Sequence, residues 1–194
     1  MKIVKYTDPW TYYCVEEFLD TEQACELFKL CQETEFSEDT FILNGDIQNS
    51  APVHTIMPNE LHQSINEKLD YVVAYLGMET ENFHWGFSTS KTYPKLDPQL
   101  MPHNDDFAEL KQYGAGKIKI LVYLGCNDTS YKNWGTRLYT TNHLDTYVKE
   151  VEFVPGRAFI FVPTAETYHG TDFKKELFAN RFVLGAEYME NRDG

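Results

Sequence analysis

At Gly77 the spacing of apolar residues changes, and no other feature of the chain constrains its fold as tightly. Before it, apolar residues recur at three- and four-residue intervals, the period of one helix face. After it, many of them recur at every second position, the period of one face of a strand. Helices followed by many short strands make an α+β protein, with the helices packed on an all-β body. So many strands have exposed edges to manage, and closed or sandwiched antiparallel sheets such as the jelly roll do this.

The helical part contains two elements. Asp20 can cap the first, with Gln23 three positions on, close to a capping box. Ala24, Leu27, Phe28 and Cys31 fall on one face of it, which makes Cys31 a core residue. The second helix is expected from about Pro58 to Leu76, with Leu61, Ile65, Leu69, Val72, Val73 and Leu76 as its apolar stripe. Strands are expected at 12–19, 82–93, 117–124, 136–140, 149–154, 157–163 and 180–188. Pro155-Gly156 marks a tight turn. In 117–124, Ile118, Ile120, Val122 and Leu124 share one face, and Lys117, Lys119, Leu121 and Tyr123 share the other. The stretch 32–57 reads as irregular and polar, with a turn signal at Asn44-Gly45. Residues 41–57 and 94–101 are expected to act as mobile lids that shape substrate choice.

The 194 residues predict a single domain over 1–194. A formal net charge of −13 repels phosphates and anionic membranes, so neither nucleic acid nor a membrane is expected as a partner. No stretch approaches the ~18 apolar residues of a membrane span. The start, MKIVKYTDPWTYY, lacks the apolar core of a signal peptide. Cys14, Cys25, Cys31 and Cys126 form no Cys-x-x-Cys pair, so a thiolate zinc site is not expected. Reduced thiols in a cytoplasmic protein are the expectation.

Within the strand-rich part lie His103, Asp105 and His169, with Arg181 twelve positions after the last. Residues two apart on an extended segment point to one side, so His103 and Asp105 can reach one metal ion, with His169 as third ligand. Two imidazoles and one carboxylate with open positions form the facial triad of non-haem Fe(II) oxygenases. Arg181 opens a strand and can grip a carboxylate with two parallel hydrogen bonds. A second His-x-Asp, His143-Leu144-Asp145, lies in a polar run that reads as a connection, so the His103 pair is favoured. His54, His62 and His84 read as structural or surface residues, and Asp106 as a solvated or neighbouring acceptor.

With these residues in place, the chain resembles the Fe(II)/2-oxoglutarate dioxygenase superfamily, and within it the prolyl 4-hydroxylase-like branch with its short bacterial and phage versions. The opening VEEFLDTEQACELF, the strand KIKILVYLG, the segment NWGTRLY, the run VPGRAFIFVPTAETYHG and the final RFVLGAEY each resemble a piece of that branch, in its order. Gly135 follows Trp134 where the branch often has a second Gly, Leu100 stands where some members carry an aromatic, and Gly125 replaces an Asn. The resemblance implies a double-stranded β-helix with N-terminal helices on its major sheet. It implies Fe(II) on His103, Asp105 and His169, and 2-oxoglutarate held by Arg181 with a contact from Tyr93. It also implies O₂ as co-substrate, ascorbate as reductant of the iron, and hydroxylation of a C–H bond with release of succinate and CO₂. The substrate class it implies is a prolyl or other peptide residue. A free amino acid or small metabolite is the alternative, and a non-catalytic jelly-roll binding protein is the reading from a different class.

Overall fold

Asp20 and Gln23 form both bonds of a capping box in the computed structural model, which describes residues 1–33, 41–43, 46–52, 57–78, 83–92, 102–105, 118–127, 135–171 and 181–190. The Gln23 N–H donates to Asp20 Oδ1 at 2.8 Å, and the Asp20 N–H donates to Gln23 Oε1 at 3.3 Å. Helix α1 (Thr21–Glu33) follows, burying Ala24, Leu27, Phe28 and Cys31 as its period requires. Helix α2 (Asn59–Tyr75) starts after Pro58 and buries Leu61, Ile65, Leu69, Val72 and Val73. Each such Leu, Ile or Val contributes roughly 1.5–3 kcal/mol when fully buried.

The strands are β1 (Lys2–Tyr6), β2 (Tyr12–Glu16), β3 (Phe41–Leu43), β4 (Asp46–Pro52), β5 (Phe83–Thr92), β6 (Ile118–Leu124), β7 (Thr136–Tyr139), β8 (Tyr147–Val151), β9 (Ala158–Phe161), β10 (His169–Gly170) and β11 (Arg181–Glu190). Among the described residues they form an eight-stranded sheet, β1-β2-β9-β6-β11-β5-β4-β3, and a three-stranded sheet, β10-β7-β8. Every pairing is antiparallel. The two sheets face each other through side chains. Phe161 of β9 meets His169 of β10 with ring centroids 4.8 Å apart, and Tyr123 of β6 reaches Thr136 of β7. This is the α+β jelly roll that the sequence predicts.

At its centre, where β9, β6 and the start of β11 lie, the large sheet is covered on both sides. Its outer face carries α1, where Phe28 packs edge-on against Phe182 of β11 at 5.5 Å. Its inner face looks toward the small sheet, and β9 is buried at all four positions. Gly156, with φ +81°, turns the chain into β9 so tightly that a Cβ there would collide with the Leu19 carbonyl. The turn ties α1 to β6: the Leu19 N–H donates to Gly156 O (3.0 Å), and the Gly156 N–H to Tyr123 O (2.8 Å).

Four expectations need correction. Strand β2 stops at Glu16 rather than continuing to residue 19, because Glu17 takes a positive φ and the chain turns toward α1. The stretch 32–57 is not irregular throughout: β3 and β4 pair with Leu43 opposite Asp46, and β4 pairs with β5. Residues 41–43 and 46–52 are therefore sheet strands rather than a loose lid: the apolar run Phe41-Ile42-Leu43 pairs with polar β4 across the Asn44-Gly45 turn signal, and β4 pairs in turn with β5. Strand β8 begins at Tyr147, earlier than the expected 149. Cys25 and Cys126 form a disulfide, with Cα atoms 4.5 Å apart, so these two thiols are not reduced. Cys14 and Cys31 are buried and take no part in this disulfide. The expected lid at 94–101 lies outside the described residues. Among the described residues, no helix is long and apolar enough to cross a membrane.

Candidate metal centre and anion cradle

His103 and His169 are brought side by side by their backbones. Each N–H donates to the other's carbonyl, at 2.9 and 2.8 Å, in an antiparallel bridge. Their imidazole centroids lie 4.5 Å apart. Strand β10 is fixed in turn by β7, with His169 opposite Leu138. The segment carrying His103 is tied to the 164–167 turn, where Asn104 Nδ2 donates to the Ala165 carbonyl at 3.2 Å. Asp105, two positions from His103, comes to the same side: its Oδ1 is 3.9 Å from His103 Nε2, and its Oδ2 is 3.4 Å from His169 Nε2. One ligand atom from each of the three lies within 4.8 Å of the others.

The electrostatics suit a metal. His169 Nδ1 lies 3.0 Å from the Thr167 carbonyl, which can only accept, so Nδ1 carries the hydrogen and Nε2 presents its lone pair to the cluster. Burial pushes the His169 imidazole down to about 4, against the pull of Asp105, so it is neutral at pH 7. Burial works to raise the Asp105 carboxyl, but His169, Lys119 and His103 outweigh it and hold the carboxyl below the usual carboxylate range. With His169 neutral, Lys119 supplies standing positive charge, its Nζ 3.4 Å from Asp105 Oδ2. Two imidazoles and a carboxylate, converging on one point, are a donor set that fits Fe(II).

Arg181 stands at the start of β11, buried on the inner face. Its Nη2 donates to Thr136 Oγ1 at 3.4 Å, and Thr136 shares a 2.7 Å hydrogen bond with the Tyr123 hydroxyl. Its guanidinium lies over the rings of Tyr123 (5.4 Å) and Phe153 (5.9 Å). Burial lowers its pKa, with Tyr123 and Glu150 opposing. Burial likewise pushes the Tyr123 phenol up to about 12, so it stays a neutral hydrogen-bonding group. A buried guanidinium among rings and hydroxyls fits a carboxylate that shares its burial.

Strand β6 connects the two ends. Lys119 beside Asp105, Leu121, and Tyr123 beside Arg181 all lie on its inner face. Lys119, Tyr123 and Thr136 are the residues that motif reading left without a role; the alternation of 117–124 already put Lys119 and Tyr123 on one face. Tyr93 lies outside the described residues, and Thr92 before it pairs with Arg181. His143 and Asp145 are exposed at a 3₁₀ turn and do not join the cluster. His62 is half-buried on α2, its Nδ1 3.1 Å from Asn66 Nδ2. His84 lies in β5, opposite Met189. His54, Asp106, Lys174 and Lys175 lie outside the described residues.

No protein-family model and no curated protein matches the chain. Solved structures do. A viral collagen prolyl hydroxylase from Paramecium bursaria Chlorella virus-1, in complex with 2-oxoglutarate, has a TM-score of 0.64 at 12% identity, covering 95% of this chain and 98% of that one. A prolyl hydroxylase from Trichoplax adhaerens, bound to a hypoxia-inducible-factor degradation-domain peptide, has a TM-score of 0.64 at 17% identity, covering 92% and 83%. The non-haem α-ketoglutarate-dependent epimerase SnoN of nogalamycin biosynthesis has a TM-score of 0.63 at 16% identity, covering 92% and 77%. The chain has the fold these enzymes share.

Proposed function

We propose that this chain is an Fe(II)- and 2-oxoglutarate-dependent dioxygenase that hydroxylates a C–H bond of a prolyl or other peptide residue. The observation that carries the reading is the convergence of His103, Asp105 and His169 at the small sheet's β10, facing the inner side of the large sheet that buries Arg181. His103, Asp105 and His169 hold the iron, and Arg181 holds the distal carboxylate of 2-oxoglutarate, with Thr136 and Tyr123 beside it and Tyr93 adding a contact. When bound, iron and 2-oxoglutarate supply the oxidising chemistry: O₂ gives one oxygen atom to succinate as CO₂ leaves, and the other to the substrate.

The chain's own residues prepare that site. Thr167 fixes the His169 ring and its tautomer through the Nδ1–H. Phe161 packs on the same ring and keeps water from that side. Lys119 neutralises part of the Asp105 charge. Tyr123, Phe153 and Thr136 hold Arg181 in one orientation, ready for a two-pronged grip on a carboxylate. Ascorbate would serve as an external reductant of the iron, and the whole of 1–194 would act as one catalytic domain.

A small metabolite is the second substrate reading, favoured because SnoN, an epimerase of nogalamycin biosynthesis, shares the fold. The deciding experiment supplies Fe(II), 2-oxoglutarate and O₂, and follows succinate together with +16 Da products across a peptide and metabolite panel. The reading expects succinate even without substrate, from slow uncoupled turnover, and one class of hydroxylated product. Absence of succinate from iron-loaded protein would make the chain a jelly-roll binder instead.

A further inference from the structure

Lys119 places a charged side chain on the inner face of β6, where its neighbours on that face are Leu121 and Tyr123. Its partner across the sheet is Phe161 of β9, and the Phe161 ring lies 4.8 Å from that of His169. This register aims the ammonium at the His-Asp-His cluster. Its Nζ lies 3.4 Å from Asp105 Oδ2, with Lys119 21% and Asp105 12% exposed in their side chains. Glu187 is the β11 residue in register with Lys119. Among the described residues, the charged or titratable groups of the cluster that face the ammonium are Asp105, His103 and His169.

An ammonium next to a divalent cation does nothing for metal affinity, because like charges repel, about 332/(εr) kcal/mol per pair of unit charges. Its effect has to be on the ligand. A carboxylate can bind a metal through one oxygen or through both. Bound through both, Asp105 would fill a position that a chelating co-substrate needs, whereas the triad works by leaving positions open. A hydrogen-bonded cation on one oxygen removes that option, and outer partners of this kind set how a ligand is presented. Lys119 lies on Oδ2, which also faces His169 Nε2 at 3.4 Å, while Oδ1 faces His103 Nε2 and is the oxygen the ammonium leaves free to ligate.

We propose that Lys119 is a positioning residue that keeps Asp105 a one-oxygen metal ligand, and so keeps two adjacent coordination positions free for 2-oxoglutarate. This rests on the reading of the site given above. It extends that reading by assigning a role to a lysine that lies outside the triad and away from the Arg181 cradle. Lys119→Met keeps the unbranched chain up to the Cε position and removes the charge; Lys119→Arg keeps a cation that can hold the same oxygen.

The test uses the full chain loaded with Co(II), without O₂. Infrared difference spectra on adding Co(II) report the ligating carboxylate, whose two stretches lie far apart for one-oxygen binding and close together for two-oxygen binding. Titration calorimetry reports Co(II) alone and then 2-oxoglutarate on the loaded protein. The proposal expects wide separation in the wild type and narrow separation in Lys119→Met. It expects Co(II) affinity in Lys119→Met to be at least that of the wild type, while 2-oxoglutarate affinity falls about tenfold, ~1.4 kcal/mol. Lys119→Arg should restore the wide separation and the affinity. Wide separation kept in Lys119→Met overturns the proposal, and if 2-oxoglutarate still weakens, Lys119 grips the anion directly. Equal weakening of both ligands overturns it as well, since that is the signature of fold damage. A wild type that gives no Co(II)-dependent carboxylate change removes the metal-site reading itself, which tells that failure apart from the others.

Discussion

Arg181 and His169 are both buried polar groups on the inner faces, and each makes a prediction. Arg181 lies among two rings and a hydroxyl, so a carboxylate reaching it would meet a desolvated cation. A hydrogen bond to a charged group is worth ~1.5–3 kcal/mol. Arg181→Ala should therefore raise the 2-oxoglutarate dissociation constant roughly ten- to a hundredfold with little change in iron affinity, measured by calorimetry on metal-loaded protein. An unchanged value would pass the role to Lys174 or Lys175. His169 is held down to about 4 by burial, against an ordinary 6.5. On acidification the unfolded chain takes up this proton before the folded one does. In metal-free protein the group's contribution to stability is thus fully present above pH 6.5 and is lost as pH falls toward about 4, by ~3 kcal/mol. Urea unfolding at pH 7 and pH 4.5 should show this loss in the wild type and a smaller one in His169→Gln.

At the scale of elements, the links between α1 and the sheet decide how firmly the inner face is held. The Cys25–Cys126 disulfide joins α1 to the segment after β6 across 101 positions. A cross-link closing a loop of that length stabilises by up to ~4.7 kcal/mol in the chain-entropy model. Reduction by a dithiol, or Cys25→Ser with Cys126→Ser, should lower the unfolding free energy from urea titration by most of that, and the midpoint with it, while Co(II) still binds. A midpoint that does not move would mean that packing such as Phe28 on Phe182 holds α1 without help. Both helices were legible in the sequence, because an apolar stripe and a capping pair act locally and leave their spacing behind. Strands β6, β9 and β11 were legible for the same reason. The β3–β4 pair was not, since β3 is only three residues long and β4 is polar, and the pair is held in the sheet through the pairing of β4 with β5. The disulfide was not either: composition and compartment say nothing about which thiols the fold brings together. Of the site, order and spacing gave His103, Asp105, His169 and Arg181. Lys119 and Thr136 acquire meaning only from the register of β6 with β9 and from the approach of β7.

Over the whole molecule, the two sheets meet where the chemistry is placed. β10 of the small sheet brings His169, β6 and β11 of the large sheet bring Lys119, Tyr123 and Arg181, and the segment carrying His103 bridges to β10. A metal bound there binds only the folded chain, so saturating Co(II) should also raise the thermal midpoint by mass action. The net charge of −13 makes the surface a poor one for nucleic acid, which leaves peptides and small molecules as the substrates to screen. The most direct test of the central claim is anaerobic visible absorption while Fe(II) and 2-oxoglutarate are added to the wild type, His103→Ala and His143→Ala. The account predicts a metal-to-ligand charge-transfer band in the wild type and in His143→Ala, and none in His103→Ala. No band in the wild type, or a band lost in His143→Ala and kept in His103→Ala, would contradict it.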